Sequence, residues 1–212
     1  MDASRKYIVE FIGTFLFVLT IGCVVMKPGD AGTLAPIAIG SALMVMIFAG
    51  GHISGGHFNP AVTLAVYLRG RCSAADVPWY IAAQIVAAMA AGSAVLFLKD
   101  FPKVEAGKPD VVRALIAEFL YTFALCYVVL NVATAKANAN NSFYGLAIGF
   151  TVMIGAFAVG GISGGAFNPA VATGVTVMGL STWSNLWIFL VGDFAGGAVA
   201  AATFKFLNPQ DP

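Results

Sequence analysis

Two copies of one short sequence contain the residues of this chain that are best suited to a functional site. They occupy residues 52–62 and 161–171, agree at nine of eleven positions, and place Asn59 and Asn168 at equivalent points 109 residues apart. In each copy a glycine-rich loop ends in Asn followed by Pro, the pattern of an N-cap residue before the first residue of a helix. The apolar residues that follow are too few to cross a bilayer. The pattern therefore predicts two half-helices, each preceded by a glycine-rich loop.

These half-helices indicate a site that acts on solutes through partial charges and hydrogen bonds and that catalyses no reaction. Where their N-termini meet, two positive dipole ends of about half an elementary charge each repel cations. The Asn amides can cap the helices and still donate to a neutral acceptor such as water, while loop carbonyls supply acceptors. The sequence has no paired nucleophile and base, metal-ligand cluster or phosphate loop, so we expect no enzyme, cofactor or metal. The arrangement predicts a path for small neutral solutes that excludes ions.

The composition places these motifs in a membrane. Of 212 residues, 59% are hydrophobic and only 10% are charged, too few charges for the surface of a soluble domain. Long apolar segments argue against a β-barrel, and the net charge of +1 gives no reason to expect a nucleic-acid partner. We therefore expect an all-α membrane protein with six transmembrane helices and two re-entrant half-helices. At about 20 residues per span, the spans are residues 7–26, 34–50, 78–98, 111–133, 143–160 and 183–207.

The chain is predicted to be one domain, residues 1–212, made of two repeats. Residues 1–98 and 111–207 contain the same order of segments, and a polar connection, residues 99–110, separates them. Glu10 in the first span recurs as Glu118 in the fourth. Because three spans per repeat is an odd number, the second repeat must start from the opposite side of the membrane, which predicts an inverted repeat. The half-helices then enter from opposite faces and meet by their N-termini.

These features together resemble the aquaporins, or major intrinsic proteins. The resemblance covers nearly the whole chain and depends on six spans, the paired Glu10 and Glu118, and two Asn-Pro-Ala motifs, Asn59-Pro60-Ala61 and Asn168-Pro169-Ala170. The first repeat looks more bacterial, and the second is similar to the plant tonoplast-intrinsic subgroup. The resemblance implies the aquaporin fold, passive conduction of water through one pore per protomer, and a homotetramer in the lipid bilayer.

The residues at the family's selectivity filter depart from those of strict water channels. Water-selective members carry an arginine directly after the second motif, where this chain has Val171. By the family's spacing, the other filter positions fall at Ile39, Ala156 and Gly165. All four are aliphatic or lack a side chain, so the resemblance implies a wide filter that passes ammonia, hydrogen peroxide and urea besides water. A glycerol or polyol facilitator is the alternative, ranked lower because such channels usually carry Asp at the position of Ala172.

Five further ionisable residues lie at the loops or inside the spans. Glu10 and Glu118 fall in apolar spans, where an ionisable side chain is costly and usually functional. We expect each to accept backbone N–H groups of its loop; a proton site coupled to transport is the alternative. His52 is expected to be a buried core residue, whereas His57 is a candidate for lining the inner vestibule. Asp193 either bonds a loop backbone or faces a contact between helices in the tetramer.

The charge distribution slightly favours a cytoplasmic N-terminus. Arg5 and Lys6 precede the first span, and Arg69 and Arg71 lie in a short connection on the same side. Six spans then place both termini in the cytoplasm, with a plasma or inner membrane as the expected location. A secondary transporter with a coupled ion is the rival class, because broken helices in inverted repeats also occur there. Linear flux with a low activation energy favours the channel, and saturable, ion-dependent flux favours the transporter.

Overall fold

The computed structural model describes residues 3–211, and most of them are helical. Eight α-helices follow in chain order: α1 (Ala3–Val25), α2 (Ala35–Ser54), α3 (Pro60–Leu68), α4 (Val77–Leu98), α5 (Val111–Val129), α6 (Tyr144–Ser163), α7 (Pro169–Val177) and α8 (Leu186–Leu207). α5 continues as a π-helical turn, Leu130–Thr134, and short 3₁₀ turns precede α2, α6 and α8. Six of the described helices are long and apolar enough to cross a bilayer, whereas α3 and α7 have nine residues each. The predicted six spans and two half-helices are confirmed.

Each re-entrant segment begins where a glycine ends a long helix. α2 ends at Ser54 and α6 at Ser163, and the next residues, Gly55 and Gly164, have left-handed backbones with φ of 90° and 98°. A residue without a Cβ adopts that conformation without a steric penalty, so both glycines act as C-caps that redirect the chain. The short loops that follow lead directly into α3 and α7.

The helices pack in the same way in the two repeats. α1 lies against α2 and α4, and α5 lies correspondingly against α6 and α8. The repeats meet where α2 crosses α6, and each half-helix also packs against the last span of the other repeat, α3 against α8 and α7 against α4. Spans of both repeats thus enclose the half-helices, which places their N-termini in the middle of the molecule.

α2 and α6 approach each other closely through one glycine on each helix. A Cβ on Gly40 would lie 2.6 Å from the Gly149 carbonyl oxygen, and a Cβ on Gly149 would collide with the Gly40 carbonyl oxygen in the same way. Small residues let helix backbones touch inside a membrane, where close packing drives helix association. A reciprocal contact of this kind is what a near-twofold axis between the repeats requires.

Several boundaries differ from the predicted spans: α1 begins earlier, and α2 and α6 continue to Ser54 and Ser163, beyond the predicted ends at residues 50 and 160. Polar contacts, which a hydrophobic pattern does not contain, fix α1 and the turn after α5. α1 begins at Ala3, ahead of the predicted start at Tyr7. Its first turns are anchored by Lys6 Nζ and Tyr7 Oη, which lie 3.2 and 2.8 Å from the Asp76 carboxylate. In the predicted polar loop after α5, Asn141 Nδ2 donates to a carbonyl of the π-helical turn at 2.7 Å. That bond stabilises a turn that the composition alone does not predict.

The outward faces of the long helices are apolar. Side chains such as Ile12, Phe150 and Val191 have exposed fractions of 50%, 49% and 51%. An apolar surface that surrounds the whole bundle is unfavourable in water and matches the hydrocarbon interior of a bilayer. The fold is therefore that of a bundle that spans a membrane several times.

Candidate functional site

The N-termini of α3 and α7 meet in the middle of the bundle. Asn59 Nδ2 donates to the Phe167 carbonyl oxygen and Asn168 Nδ2 donates to the Phe58 carbonyl oxygen, both at 2.9 Å. Each Asn thus ties its half-helix to the loop of the other repeat. Because an amide group has two hydrogens, each side chain keeps a second N–H for another acceptor. The reciprocal bonds were not predicted, since they join residues more than a hundred positions apart.

The same two side chains cap the half-helices. Asn59 Oδ1 accepts from the Ala61 N–H at 2.8 Å, and Asn168 Oδ1 accepts from the Ala170 N–H at 2.9 Å. The next N–H of each helix lies at 3.4 Å from the same oxygen, and a proline occupies each first helical position. With the oxygen turned back to the helix, the amide N–H groups must point away from it. Each Asn therefore presents donors to the space where the two helices meet.

The residue before each Asn has an unusual backbone conformation. Phe58 and Phe167 have φ of 48° and 49°, in a left-handed region that residues with a Cβ rarely adopt. Such a conformation persists only where the surroundings fix it. Here each Phe N–H donates to a buried carboxylate at 2.7 Å, that of Glu10 or Glu118, and both rings are buried. The turn directs each Phe carbonyl oxygen towards the Asn of the opposite repeat.

Glu10 is fully buried and accepts four hydrogen bonds. Its donors are Ser54 Oγ at 2.7 Å, the His57 N–H at 2.9 Å, the Phe58 N–H at 2.7 Å and Gln84 Nε2 at 2.8 Å. Ser54 ends α2, and His57 and Phe58 belong to the loop between α2 and α3, so the carboxylate holds that segment in one shape. Gln84 on α4 was not predicted as a partner, because a neutral residue within an apolar span gives little signal.

Glu118 holds the second loop in the same way, with one change. It accepts from Ser163 Oγ at 2.6 Å, the Ala166 N–H at 3.1 Å and the Phe167 N–H at 2.7 Å. The loop contacts of the two glutamates correspond one to one. Where the amide of Gln84 donates to Glu10, the second repeat has the acid Asp193 at the corresponding position.

The four predicted filter residues line a single cavity. Ile39, Ala156, Gly165 and Val171 border a space of about 380 Å³, which we call the filter cavity. Most of its other lining residues are apolar or glycine, and Lys108 is the one charged residue among those described there. None of the four positions has a side chain that can donate a hydrogen bond or carry a charge.

A much smaller cavity lies at the two asparagines. This central cavity has a volume of about 10 Å³, close to the space that one water requires. Asn59 and Asn168 line it together with hydrophobic side chains, including Phe17 and Leu125, which occupy corresponding positions in the first span of each repeat. Phe17 and Val152 line both the central cavity and the filter cavity. The two spaces therefore adjoin.

The third cavity, about 810 Å³, lies on the other side of the central cavity and is lined by polar connections. We call it the loop cavity; Lys6, Arg71 and Lys136 are among its charged lining residues. His57 lines both this cavity and the central cavity, and its Nδ1 is 3.1 Å from Thr63 Oγ1. The three cavities thus form a row in which each neighbour shares lining residues with the next.

The prediction for His52 was wrong. The side chain is exposed and borders the loop cavity, whereas a buried core position was expected. The reason is that α2 ends at Ser54, so His52 lies in a last turn that borders this cavity and is not enclosed by other helices. The position of His52 in the sequence does not show which side of that turn faces the loop cavity.

A buried arginine at the end of α3 was also not predicted. The Arg69 guanidinium lies 4.5 Å from the centre of the Phe204 ring, and its Nη2 is 2.7 Å from Asp211 Oδ1. Asp211 also accepts from the Lys136 backbone N–H at 2.7 Å and lies 3.5 Å from Arg71 Nη2. The Lys136 N–H bond and the Arg69 contact hold the pKa of Asp211 below its ordinary value. These four polar residues form what we call the C-terminal latch.

Known proteins share both the sequence pattern and this architecture. The family model described as Major intrinsic protein matches residues 1–204. Glycerol uptake facilitator protein-like 6 of Lactiplantibacillus plantarum is 37% identical over 222 residues, which cover 98% of this chain and 100% of the relative. Aquaporin NIP1-1 of Oryza sativa subsp. japonica is 37% identical over 215 residues, covering 96% and 74%. The solved aquaglyceroporin from Plasmodium falciparum has a TM-score of 0.84 at 21% identity, covering 99% and 98%.

These matches extend over nearly the whole chain. The bacterial and plant relatives agree with the family model, and the solved structure shares the arrangement of long helices and half-helices. The resemblance inferred from the two Asn-Pro-Ala motifs is confirmed. This chain belongs to the major intrinsic protein family, whose members are channels, and is a multi-pass membrane protein with the aquaporin fold.

Proposed function

We propose that this protein is a passive channel for water and small neutral solutes such as ammonia, hydrogen peroxide and urea. The observation that carries this proposal is the row of three cavities with two asparagine amides at its narrowest point. A solute crosses from the filter cavity to the loop cavity by passing these amides one molecule at a time. Their free N–H groups replace the hydrogen bonds that the solute loses when it leaves bulk water.

Electrostatics at the central cavity favours neutral solutes over cations. The N-termini of α3 and α7 both face this cavity, each with a partial positive charge of about half an elementary charge. Water or urea accepts a hydrogen bond through its oxygen at this point. A cation at this point would lose part of its hydration shell and would also be repelled by two positive helix ends. Both effects raise its free energy. The barrier to cations and protons therefore lies at the central cavity.

Size selection is weak at the filter cavity and strong at the central cavity. The filter cavity has a volume of about 380 Å³, against about 10 Å³ for the central cavity. Val171 occupies the position where a guanidinium would narrow the filter and add a permanent charge. Solutes larger than water thus reach the asparagines, and small motions of the hydrophobic side chains there set how fast each solute passes.

Glu10 and Glu118 support the two loops from outside the path. Neither residue is among the described lining residues of the three cavities, and their hydrogen bonds go to loop N–H groups and neighbouring side chains. A proton site coupled to transport needs contact with the path or with water. Structural support is therefore the role that fits their position.

Substitution of Val171 by Arg tests the placement of the filter. In proteoliposomes studied by stopped-flow light scattering, we expect Val171→Arg to lower urea permeability roughly tenfold or more while water permeability falls less. A guanidinium at this position narrows the filter cavity and adds a charge. Val171→Leu is the matched control, because it enlarges the side chain without a charge and should leave the ratio of urea to water permeability near the wild-type value.

A second variant distinguishes an effect on the filter from misfolding of Val171→Arg. Ala156→His changes a second residue that lines the same cavity and should shift selectivity in the same direction as Val171→Arg. Unchanged urea and ammonia passage in either variant, with the protein monodisperse after extraction, would refute the placement of the filter.

A glycerol channel is the second candidate function. A relative that matches over its full length and covers 98% of this chain is named as a glycerol uptake facilitator-like protein, and the filter cavity of about 380 Å³ is large for water alone. Against it, Ala172 stands where glycerol facilitators usually carry Asp. Re-swelling of proteoliposomes in a glycerol gradient supports this candidate, and sustained shrinkage rejects it. Saturable flux that requires an ion gradient would instead support a coupled transporter.

We further propose a homotetramer in the plasma or inner membrane with both termini in the cytoplasm. Lys6, near the N-terminus, borders the loop cavity, and Asp211, near the C-terminus, bonds Lys136 in the same lining. The basic residues on this face agree with a cytoplasmic orientation. Chemical crosslinking in native membranes and protease protection of tagged termini test the two parts of this proposal separately.

A further inference from the structure

One residue that supports the second loop differs in chemistry from its counterpart in the first repeat. Asp193 on α8 is fully buried and lies 109 residues after Gln84 on α4, at the corresponding position of the repeat. In the first repeat, Gln84 Nε2 donates to Glu10 Oε2 at 2.8 Å. In the second repeat, the residue in the donor's place is an acid that faces Glu118. An ionised Asp has no hydrogen to donate.

The contacts of Asp193 place it beside Glu118, which holds the second loop. Its carboxyl group bonds Thr122, which lies one helical turn after Glu118 on the same face of α5. Thr122 Oγ1 donates to Oδ1 at 2.9 Å, whereas Oδ2 is buried and has no hydrogen-bond partner among the described residues. α8 packs tightly on α5 at this point, because a Cβ on Gly192 would lie 3.0 Å from Glu118 Cβ.

Within residues 3–211 no cation forms an ion pair with either acid. Glu118 and Cys126, both on α5, are titratable groups that interact with Asp193. Two interacting ionised carboxylates inside a membrane would repel each other without a counter-charge. One shared proton removes the repulsion and supplies the missing donor.

We propose that Asp193 holds a proton and donates it in a hydrogen bond to Glu118, so that a carboxylic acid positions the second loop as Gln84 positions the first. Asp193 is then a positioning residue for Asn168, which it reaches through Glu118 and the loop N–H groups. The donor that supports the first loop is the amide of Gln84, which keeps its hydrogens as pH rises. The donor that supports the second loop is the carboxylic acid of Asp193, which loses its proton at alkaline pH. Loss of that proton loosens the loop that holds Asn168 and lowers flux.

Infrared spectroscopy tests the protonation without reference to transport. Wild-type protein at neutral pH should show the C=O stretching band of a protonated carboxyl group, shifted by exchange into D₂O. Asp193→Asn, which has the same shape and a permanent donor, should lack that band. Absence of the band in wild type, or its persistence in Asp193→Asn, would overturn the proposal even if the protein conducts nothing.

The flux readout rests on the proposed channel function and uses the internal repeat as its control. Water permeability of wild-type proteoliposomes should fall as pH is raised, while Asp193→Asn should stay within about twofold of the neutral wild-type value throughout. Gln84→Glu places a comparable pair of acids in the first repeat and should make permeability more sensitive to alkaline pH. Identical pH profiles for wild type and Asp193→Asn would contradict the positioning role, whereas absence of flux in all proteins would contradict the channel function alone.

Discussion

Asn59 and Asn168 each perform three tasks with one side chain. The amide oxygen caps a half-helix, one N–H bonds the opposite loop, and the second N–H remains for a solute. The first two contacts fix the side chain's orientation, so the third donor points in a constant direction. In the proposed channel, a solute therefore meets a prearranged hydrogen-bond partner at the narrowest point of the path.

Phe17 is the residue whose size should limit the central cavity. It lines both the central cavity and the filter cavity, so Phe17→Ala removes a ring at their junction. We expect urea and glycerol permeability to rise by roughly an order of magnitude relative to water. The measurement is stopped-flow light scattering with each solute as the osmolyte.

Phe97→Ala is the matched control for Phe17→Ala. Phe97 lies in the last turns of α4 with 72% of its surface exposed, far from the lining of the three cavities. Its replacement should leave the ratios of permeability unchanged. If Phe17→Ala leaves them unchanged as well, the central cavity does not select by size.

Residue-level prediction succeeded where the determinant is local. The Asn caps follow from two adjacent residues, and the buried glutamates stand out because charges are rare in apolar spans. The exposure of His52 and the pairing of Gln84 with Glu10 depend on how distant helices pack. No local pattern contains that information.

At the scale of elements, the half-helices depend on supports from other parts of the chain. α3 and α7 have nine residues each, too short for stable isolated helices. Their caps, the carboxylates beneath their loops and the packing of α3 on α8 and α7 on α4 stabilise them. The C-terminal latch adds a further support at the end of α3, where Asp211 neutralises the buried Arg69.

Removal of the Asp211 charge should weaken this support in a pH-dependent manner. The Lys136 N–H and Arg69 lower the pKa of Asp211 in the folded protein below the unfolded value of about 3.9. The stabilisation is therefore present above that value and is lost as pH falls through the lower folded pKa. Asp211→Asn should lower the melting temperature in detergent by roughly 2–4 °C at neutral pH, and the difference should vanish in acid.

Asp30→Asn is the control for the latch. Asp30 is an exposed acid that follows the C-terminal end of α1 and is not part of the latch. Its neutralisation should therefore not change the melting temperature. Equal melting temperatures of wild type and Asp211→Asn at neutral pH would show that the latch contributes nothing to stability.

The elements themselves could be predicted because apolar length determines a span. The six spans and both half-helices follow from runs of apolar residues and from Asn-Pro starts. The early start of α1 and the π-helical turn after α5 could not be predicted, because side chains such as Tyr7 and Asn141 fix them by bonds to distant groups. Burial of Arg69 likewise depends on Phe204 and Asp211, more than 130 residues away.

For the whole molecule, the two repeats share a framework but not their chemistry. The α2–α6 crossing and the loop bonds of the two glutamates are nearly symmetric. At corresponding positions, however, His57 faces Thr63 in the first repeat, where the second has Ala166 and Ala172. The loop cavity is therefore polar and the filter cavity apolar. This asymmetry gives the two ends of the path different surroundings for a solute.

The most direct test of the account measures water flux and ion leak in the same proteoliposomes. Stopped-flow light scattering reports water movement, and a trapped pH-sensitive dye reports protons driven by a potassium diffusion potential. We predict fast water flux that is linear in the osmotic gradient and weakly dependent on temperature, with proton leak equal to that of empty vesicles. Water flux that saturates or requires an ion gradient would contradict the passive channel. A proton leak that rises with protein content would contradict the exclusion of cations by the two opposed helix N-termini.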